Sequence, residues 1–257
     1  MAGLNRAYKR RPNAVALNRA PDMCLDAGSR ISYPGTGTTW TDISGNGRNG
    51  ILYYNTTFNS NNNGQFILDG TGDYIEITNC GEFKWQNINQ ISFDVVFKTT
   101  GSAQSRQYIF ESRTSNGTPT YCWYLIIVDY NTNFIFSIGR NTSGNYTDWT
   151  HTPSQLTNKI WHICSTIDKT ATTNNHNTYV NGSIIATRSF NFNTGDQGSD
   201  TGGTSLFLGN YFGSIGISDT QYHLNGSIYS SRVWKNKVLT AAEVATNFEL
   251  LRGRYGI

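Results

Sequence analysis

The 257-residue chain has few charged side chains and only five glutamates. Charged residues make up 14% of it, against ~25% in average soluble domains. Asparagine, threonine, serine and glycine dominate instead, and aromatic residues reach 13%. The scarcity of charged helix formers excludes a coiled coil or an all-α protein. The aromatic content is enough to bury a core, which excludes disorder for most of the chain.

Segments that would direct or anchor a protein at a membrane are also missing. No stretch approaches the ~18 consecutive apolar residues of a transmembrane helix. The N-terminus is basic but lacks the apolar region of ~7–15 residues that a signal peptide needs. We therefore expect no membrane segment and no export. The four cysteines form no CxxC pair, so we expect no zinc site, and we predict buried free thiols, with disulfides as the alternative: Cys24, Cys80, Cys122 and Cys164.

Short alternating segments separated by Asn-Gly turns predict an all-β protein. Ile91–Lys98 and Ile160–Asp168 alternate between two faces, as strands do. Asn181-Gly182 suits the type I′ turn of a hairpin. Further strand candidates are Gln65–Leu68, Asp73–Thr78, Gln107–Glu111, Tyr121–Val128, Phe134–Ile138, Ser205–Leu208 and Gly226–Trp234.

One helix is predicted, at the C-terminal end. Thr240 and Glu243 form a capping-box pattern, and apolar residues follow at helical spacing up to Leu251. Many strands, few helices and no βαβ rhythm predict an antiparallel β-sandwich or jelly roll with one short C-terminal helix. We expect one sandwich domain over residues 22–257, preceded by an extended basic arm over residues 1–21.

The arm concentrates positive charge. Its basic residues give +5 with no acid in the first twenty positions, which leaves −2 for the rest of the chain. An arm with so few apolar side chains cannot by itself offset ~1–2 kcal/mol of backbone entropy per residue. We therefore predict that it anchors the chain to a partner protein; a solvated tail is the alternative. Tyr8 is its sole aromatic residue, so we do not expect nucleic acid. The predicted anchoring residues are Arg6, Lys9, Arg10, Arg11 and Arg19.

One loop resembles the first half of a calcium-binding loop. Its oxygen-bearing side chains alternate from Asp42 to Asn46 and are followed by Gly47, but Tyr53 stands where an EF-hand has glutamate. The alternative is a glycine-rich turn in which Asp42 bonds its own backbone. No cofactor is required by the sequence. If a calcium ion is bound, its predicted ligands are Asp42 and Asn46.

A set of segments, in order, resembles a known family. They are CLDAGSRISYPGTGTTWTDISGNGRNG, FILDGTGDYIEI, ISFDVVFKT, WHICSTID, YVNGS, LFLGN and LNGSIYSSRVWKNKVLTAAEV, and they span roughly residues 22–250. Together they resemble the laminin-G-like branch of the concanavalin A-like lectin/glucanase superfamily. The resemblance implies two packed, curved antiparallel sheets, and calcium at a sheet rim in many members. The first segment is similar to domains in structural proteins of tailed bacteriophages.

The resemblance leaves several functions open, because this superfamily includes lectins, adhesion modules, glycanases and virion proteins. Its glycanases carry an E-x-D-x-E strand motif, and no glutamate of this chain lies in one. The densest acidic set is Asp69, Asp73 and Glu76, but the two aspartates flank a Gly-Thr-Gly turn. We therefore predict a protein that is not an enzyme.

We predict a virion structural protein, with capsid decoration or cement on a tailed phage as the first choice. It would be made in the host cytoplasm and exposed, in several copies, on the particle surface. Its arm would bind the major capsid protein or neighbouring copies. The alternative is a carbohydrate-binding module of a head or tail fibre that recognises a host glycan. Exposed aromatic residues should separate the two, since a lectin clusters them on one concave face or loop rim.

Overall fold

A computed structural model of the chain describes residues 20–83, 88–101, 106–114, 121–138, 147–190, 204–210 and 222–257. The anchoring residues predicted in the arm lie outside these ranges, so their role stays a prediction: Arg6, Lys9, Arg10, Arg11 and Arg19. No helix of the described residues is long and apolar enough to cross a membrane.

The described residues form sixteen strands and one α-helix, α1 (Ala241–Tyr255). The strands are β1 (Met23–Asp26), β2 (Thr39–Trp40), β3 (Gly50–Tyr53), β4 (Thr57–Asn59), β5 (Gln65–Asp69), β6 (Tyr74–Ile77), β7 (Gln90–Thr99), β8 (Arg106–Thr114), β9 (Tyr121–Asp129), β10 (Asn133–Ile138), β11 (Thr147–His151), β12 (Ile160–Asp168), β13 (His176–Val180), β14 (Ser183–Arg188), β15 (Thr204–Leu208) and β16 (Asn225–Lys235).

The strands build two antiparallel sheets that pack face to face. Sheet A has the order β14-β13-β12-β7-β16-β5-β4, with β1 paired to the far half of β16. Sheet B has the order β11-β10-β9-β8-β15-β6-β3-β2. Apolar and aromatic side chains from both sheets fill the space between them, including Phe66, Phe93, Phe110 and Phe134. The predicted all-β sandwich is confirmed.

The predicted hairpin and helix are both present. Asn181 and Gly182 have φ of 48° and 76°, as the turn between β13 and β14 requires. A side chain at Gly182 would also strike Phe248 of α1. The Thr240 hydroxyl accepts from the Glu243 backbone N–H at 3.2 Å, and the Glu243 carboxylate accepts from the Thr240 N–H at 2.7 Å.

The helix ends at Tyr255, four residues beyond the predicted Leu251. Tyr255 is buried against Tyr229, with ring centroids 5.1 Å apart, and Gly256 closes the helix in the left-handed conformation. Arg254 adds an ion pair with Asp26. These contacts to the sandwich extend the helix beyond the apolar repeat.

The helix covers a polar stripe on the outer face of sheet A. The alternation of β7 places Ser92 and Asp94 on the face opposite Phe93, and both side chains are fully buried. Leu239 and Val244 pack there against Cys164 and Trp234. Both faces of β7 are therefore buried, one by sheet B and one by α1.

The three cysteines whose side chains are described are buried free thiols: Cys24, Cys80 and Cys164. Burial raises the pKa of Cys80 to about 12 and that of Cys164 well above its usual value. Their thiols therefore stay protonated and unreactive at neutral pH. This agrees with the prediction of buried free thiols, while the side chain of Cys122 lies outside the described part of the chain.

A buried ion cluster lies beneath the helix. The Asp94 carboxylate accepts from Arg232 Nε at 3.0 Å and from Arg232 Nη2 at 2.5 Å, and His162 Nε2 lies 3.3 Å from its Oδ2. Burial opposes ionisation of Asp94, but Arg232 and His162 outweigh it and hold its pKa below the usual value. The His162 ring in turn stacks on Phe248 of α1, with centroids 5.9 Å apart.

We predict that Asp94→Ala lowers the free energy of unfolding by about 3–5 kcal/mol, because it leaves the Arg232 charge buried without its counter-charge. Glu249→Ala is the matched control, since Glu249 pairs with Arg252 at 3.2 Å and both side chains are exposed. It should cost no more than about 1 kcal/mol. Urea unfolding followed by tryptophan fluorescence measures both. Equal losses in the two variants would contradict a stabilising role for the buried cluster.

Candidate functional site

Strand register brings six tyrosines to one end of the sandwich. Tyr53 of β3 is paired with Tyr74 of β6. Leu208 of β15 lies between β6 and β8 and is paired with both, one residue further into the sheet. On β8, Tyr108 is paired with a residue of β9, and Tyr130 follows the last residue of β9. We call this end the tyrosine rim, and it consists of Tyr53, Tyr54, Tyr74, Tyr108, Tyr130 and Tyr222.

The rim tyrosines fall into two ring groups and one isolated side chain. Tyr53 stacks on Tyr74 at 4.5 Å between centroids, and Tyr54 meets Tyr74 edge-on at 5.9 Å. Tyr108 and Tyr222 are in edge contact at 5.5 Å. Tyr54 is 46% exposed and Tyr130 is 68% exposed. They are the exposed large aromatic residues of the described chain, and both lie at this rim.

Three rim tyrosines have an uncommon backbone conformation. Tyr54, Tyr130 and Tyr222 have φ of 54°, 47° and 70°. All the other described non-glycine residues with positive φ are asparagines, which tolerate this region far better than bulky side chains do. Strained residues of this kind concentrate at binding and catalytic sites. The conformation therefore marks the rim as a candidate functional site.

Neutral hydrogen-bonding groups lie between the tyrosines. Gln107 is buried, its Nε2 donates to Asn131 Oδ1 at 2.9 Å, and its Oε1 accepts from the Asn225 N–H at 2.9 Å. The Thr100 hydroxyl donates to Asn225 Oδ1 at 3.0 Å. These bonds hold amides and hydroxyls in fixed positions at the rim. Such an array suits a ligand with many hydroxyl groups.

The acidic set considered for catalysis has a structural role here. Asp73 is buried and accepts from the backbone N–H groups of Asn55 at 2.8 Å and Asp69 at 3.1 Å. Burial raises its pKa. Glu76 accepts from the Tyr53 hydroxyl at 3.1 Å and from the Ser205 hydroxyl at 2.7 Å. Asp73 thus holds the β5–β6 turn in shape, and Glu76 fixes the orientation of a rim tyrosine.

The predicted calcium loop is organised by its own hydrogen bonds. Asp42 Oδ1 accepts from the N–H groups of Cys24 and Ser44, and Oδ2 accepts from the Ser44 hydroxyl and the Arg48 N–H, at 2.8–3.0 Å. Asn46 Nδ2 donates to the Asp22 carbonyl at 2.8 Å. Among the described residues, no three His, Cys, Asp or Glu side chains are grouped for a metal. The geometry favours the turn alternative, and calcium binding stays a prediction.

We expect calcium in excess to leave the melting temperature of the full chain unchanged, because the Asp42 oxygens already have four donors. Asp42→Ala should cost about 2–4 kcal/mol with or without calcium, since buried donors lose their acceptor. Asn46→Ala is the control, because the side chain of Asn46 is exposed. Melting curves with calcium and with EDTA test this. Stabilisation by calcium that Asn46→Ala abolishes would instead establish the metal site.

The arm joins the body at the opposite end from the rim. The Asp22 N–H donates to the Val233 carbonyl at 2.7 Å, and Asp22 Oδ2 accepts from the Lys235 N–H at 2.8 Å. β16 runs from Asn225 near the rim to Lys235 over 11 residues, or about 35 Å. The start of the sandwich and the tyrosine rim are therefore separated by the full length of the longest strand.

The observed fold agrees with a family comparison. A family model described as Laminin_G_3, Concanavalin A-like lectin/glucanases superfamily, matches residues 69–245. The chain belongs to the concanavalin A-like lectin/glucanases superfamily. This confirms the resemblance at the level of the domain, while its phage variant stays a prediction. No curated protein sequence matches this chain.

Solved structures share its fold at low sequence identity. A Trypanosoma rangeli sialidase in complex with sialic acid is 12% identical over 90% of this chain and 32% of its own, with a TM-score of 0.63. The botulinum neurotoxin serotype D binding domain is 13% identical over 91% and 53%, with a TM-score of 0.65. The binding domain of botulinum neurotoxin DC in complex with SialylT is 15% identical over 92% and 52%, with a TM-score of 0.66. The chain thus spans about a third to a half of these structures, and the similarity shows the fold alone.

Sequence reasoning missed the tyrosine rim, although a signal was present. Tyr54 and Tyr130 each precede Asn-Thr, and in both places the threonine bonds back to the residue before the tyrosine. Thr56 Oγ1 donates to the Tyr53 carbonyl at 2.8 Å, and Thr132 Oγ1 donates to the Asp129 carbonyl at 3.3 Å. The repeated Tyr-Asn-Thr turn could therefore have marked both exposed tyrosines.

Proposed function

We propose that this chain is a non-enzymatic lectin-like module that binds a glycan at the tyrosine rim. The observation that carries the proposal is the positive φ of Tyr54, Tyr130 and Tyr222. Asparagine or glycine would occupy these turns at lower conformational cost. Tyrosine at all three positions is understandable if its side chain contributes to binding a ligand.

The side-chain chemistry of the rim fits a sugar. A tyrosine offers a rigid apolar ring face together with a polar hydroxyl, at a small cost in conformational entropy. The Asn131 amide and the Thr100 hydroxyl supply hydrogen-bonding groups beside the rings, and the buried Gln107 holds Asn131 in position. The described tryptophan side chains, by contrast, are buried, so they belong to the core: Trp40, Trp149, Trp161 and Trp234.

The comparisons support a glycan as the ligand. A solved sialidase of this fold carries sialic acid, and a neurotoxin binding domain of this fold carries SialylT. The distribution of exposed aromatic residues points the same way, because those of the described residues lie on one loop rim rather than scattered over the surface. This moves the carbohydrate-binding alternative ahead of a purely structural cement.

Attachment through the arm would orient the module, and we propose that it binds its glycan as part of a virion. A sandwich held by its arm at Asp22 would present the tyrosine rim on its far side. The polar, weakly charged composition and the resemblance to phage structural proteins favour a particle surface. Capsid decoration and a head or tail fibre both meet these requirements. The partners would be the major capsid protein or neighbouring copies, and a host glycan.

We predict that Tyr54→Ala and Tyr130→Ala each weaken glycan binding about tenfold or more, since exposed aromatic anchors carry much of the energy of such contacts. Ile184→Ala is the control, because Ile184 is 51% exposed on β14, the edge strand of sheet A, whereas the rim tyrosines extend from sheet B. A glycan array identifies the ligand, and calorimetry measures the variants. Unchanged affinity in both tyrosine variants would place the binding site elsewhere.

Deletion of residues 1–20 should leave the sandwich folded, because its first strand begins at Met23. It should abolish co-sedimentation with particles stripped of the native copy.

If charge dominates the attachment, replacing Arg6, Lys9, Arg10 and Arg11 by glutamine has the same effect as the deletion. Salt then weakens the attachment, because the Debye length falls from about 10 Å at 0.1 M to about 3 Å at 1 M. Attachment that survives this replacement would indicate strand addition through the backbone. Truncated protein that still binds would refute the anchoring arm.

A further inference from the structure

We infer that Asn46 is a site of spontaneous deamidation, in which its side-chain amide becomes a carboxylate. Asn-Gly pairs occur six times in the chain, and they are chemically labile because glycine has no side chain to hinder attack on the asparagine amide. The sixth pair, Asn116-Gly117, lies outside the described residues, so the comparison concerns the other five. The fold protects four of these and leaves Asn46-Gly47 open. This inference is independent of the proposed function.

The reaction requires water and no cofactor. The Gly47 backbone nitrogen loses its proton to base and attacks Asn46 Cγ. The Cγ–Nδ2 bond then breaks, and the nitrogen takes up a proton and leaves as ammonia. Water opens the resulting cyclic imide at either carbonyl, which gives aspartate or isoaspartate at position 46. The rate therefore depends on a free glycine N–H and on an asparagine side chain that can reach it.

Asn46 and Gly47 meet both requirements. Both residues are exposed, and a side chain at Gly47 would meet none of the described residues within 4 Å. The Gly47 N–H donates to no group in the described part of the chain. Asn46 Nδ2 donates to the Asp22 carbonyl at 2.8 Å and to Ser44 Oγ at 3.2 Å. Because the Asn46 side chain is exposed, water can replace these bonds and let it turn toward the Gly47 nitrogen.

Two other pairs are protected by the sheets. Gly50 lies in β3 between β2 and β6, and Gly226 lies in β16 between β5 and β7. A glycine with a strand on each side directs its N–H into the sheet. The side-chain oxygens of Asn49 and Asn225 also accept, from a backbone N–H at 2.9 Å and from a threonine hydroxyl at 3.0 Å. Both partners of the reaction are therefore held apart in these pairs.

The last two described pairs are protected within their turns. After Asn63, the N–H of the buried Gly64 donates to the Asn61 carbonyl at 3.0 Å. Asn181 Oδ1 accepts from the His162 N–H at 3.0 Å, and a side chain at the next glycine would strike α1. A hydrogen bond that must break before attack slows the reaction by up to about tenfold.

Deamidation changes a contact at the start of the sandwich. The Asp22 carbonyl accepts from three donors, which are Ser44 Oγ at 2.9 Å, Asn46 Nδ2 at 2.8 Å and Arg48 Nη1 at 2.8 Å. In the product, a carboxylate oxygen replaces Nδ2 and cannot donate to this carbonyl. The carbonyl then keeps two donors, so the residue that precedes β1 is held less firmly.

The test follows each Asn-Gly peptide by mass spectrometry after the full chain is incubated at alkaline pH and digested. We expect Asn46 to convert about tenfold faster or more than each of the other four described sites. A sample incubated in urea is the control, because the unfolded chain has none of the protecting contacts. There the five sites should convert at similar rates. Asn46→Gln lengthens the side chain and should stop conversion at this position.

The product itself is tested with Asn46→Asp. We expect its melting temperature to fall by about 2–4 °C, since one hydrogen bond is lost in a domain of this size. Asn174→Asp is the matched control, because it makes the same change at another exposed asparagine. Equal losses in the two variants would overturn the assigned effect on the Asp22 carbonyl.

Two outcomes of the incubation would overturn the deamidation site. The first is conversion of another described Asn-Gly pair as fast as Asn46 in the folded chain. The second is an Asn46 rate in the folded chain about tenfold or more below its rate in urea, because the fold would then protect this pair as it protects the others.

Discussion

The Asp94 carboxylate, held by Arg232 and His162, is the interaction on which the architecture depends. Without its two partners, the Asp94 carboxylate would be an isolated buried charge beneath α1 and would oppose the packing of the helix there. With them, α1 closes one face of the sandwich over the buried polar stripe. The outer face of sheet A that α1 covers is then unavailable to a ligand.

The sequence predicted the strands whose own pattern is strong. All nine predicted strand segments, the Asn181-Gly182 hairpin and the Thr240 capping box are present. The strands that it missed are mostly short, such as Thr39–Trp40 and Thr57–Asn59. Their partners in the sheet create them, because two or three residues carry no period of their own. The burial of Asp94 could not be foreseen either, since the helix that covers it lies some 150 residues further along the chain.

The candidate site shows the same limit more sharply. Tyr54, Tyr130 and Tyr222 are far apart in sequence, and only the register of β3, β6, β15, β8 and β9 brings them to one end. Asp42 presented the opposite case: its local spacing resembled a metal loop, while its carboxylate serves as the acceptor for four nearby donors. Local spacing thus indicated a turn correctly. Whether the Asp42 carboxylate binds a metal or nearby donors depends on contacts with residues outside the loop, which the spacing does not show.

The left-handed tyrosines also have a consequence for how this sandwich can change over time. Each bulky residue in that region costs of the order of 1–3 kcal/mol, which the rest of the fold must offset. Replacement by asparagine at such a turn relieves part of this cost, so selection for stability alone would favour asparagine at these positions. Under the proposed function, a lineage that no longer used the rim would drift toward a more stable sandwich without these tyrosines. The tyrosines would then reflect a compromise between the stability of the domain and ligand binding.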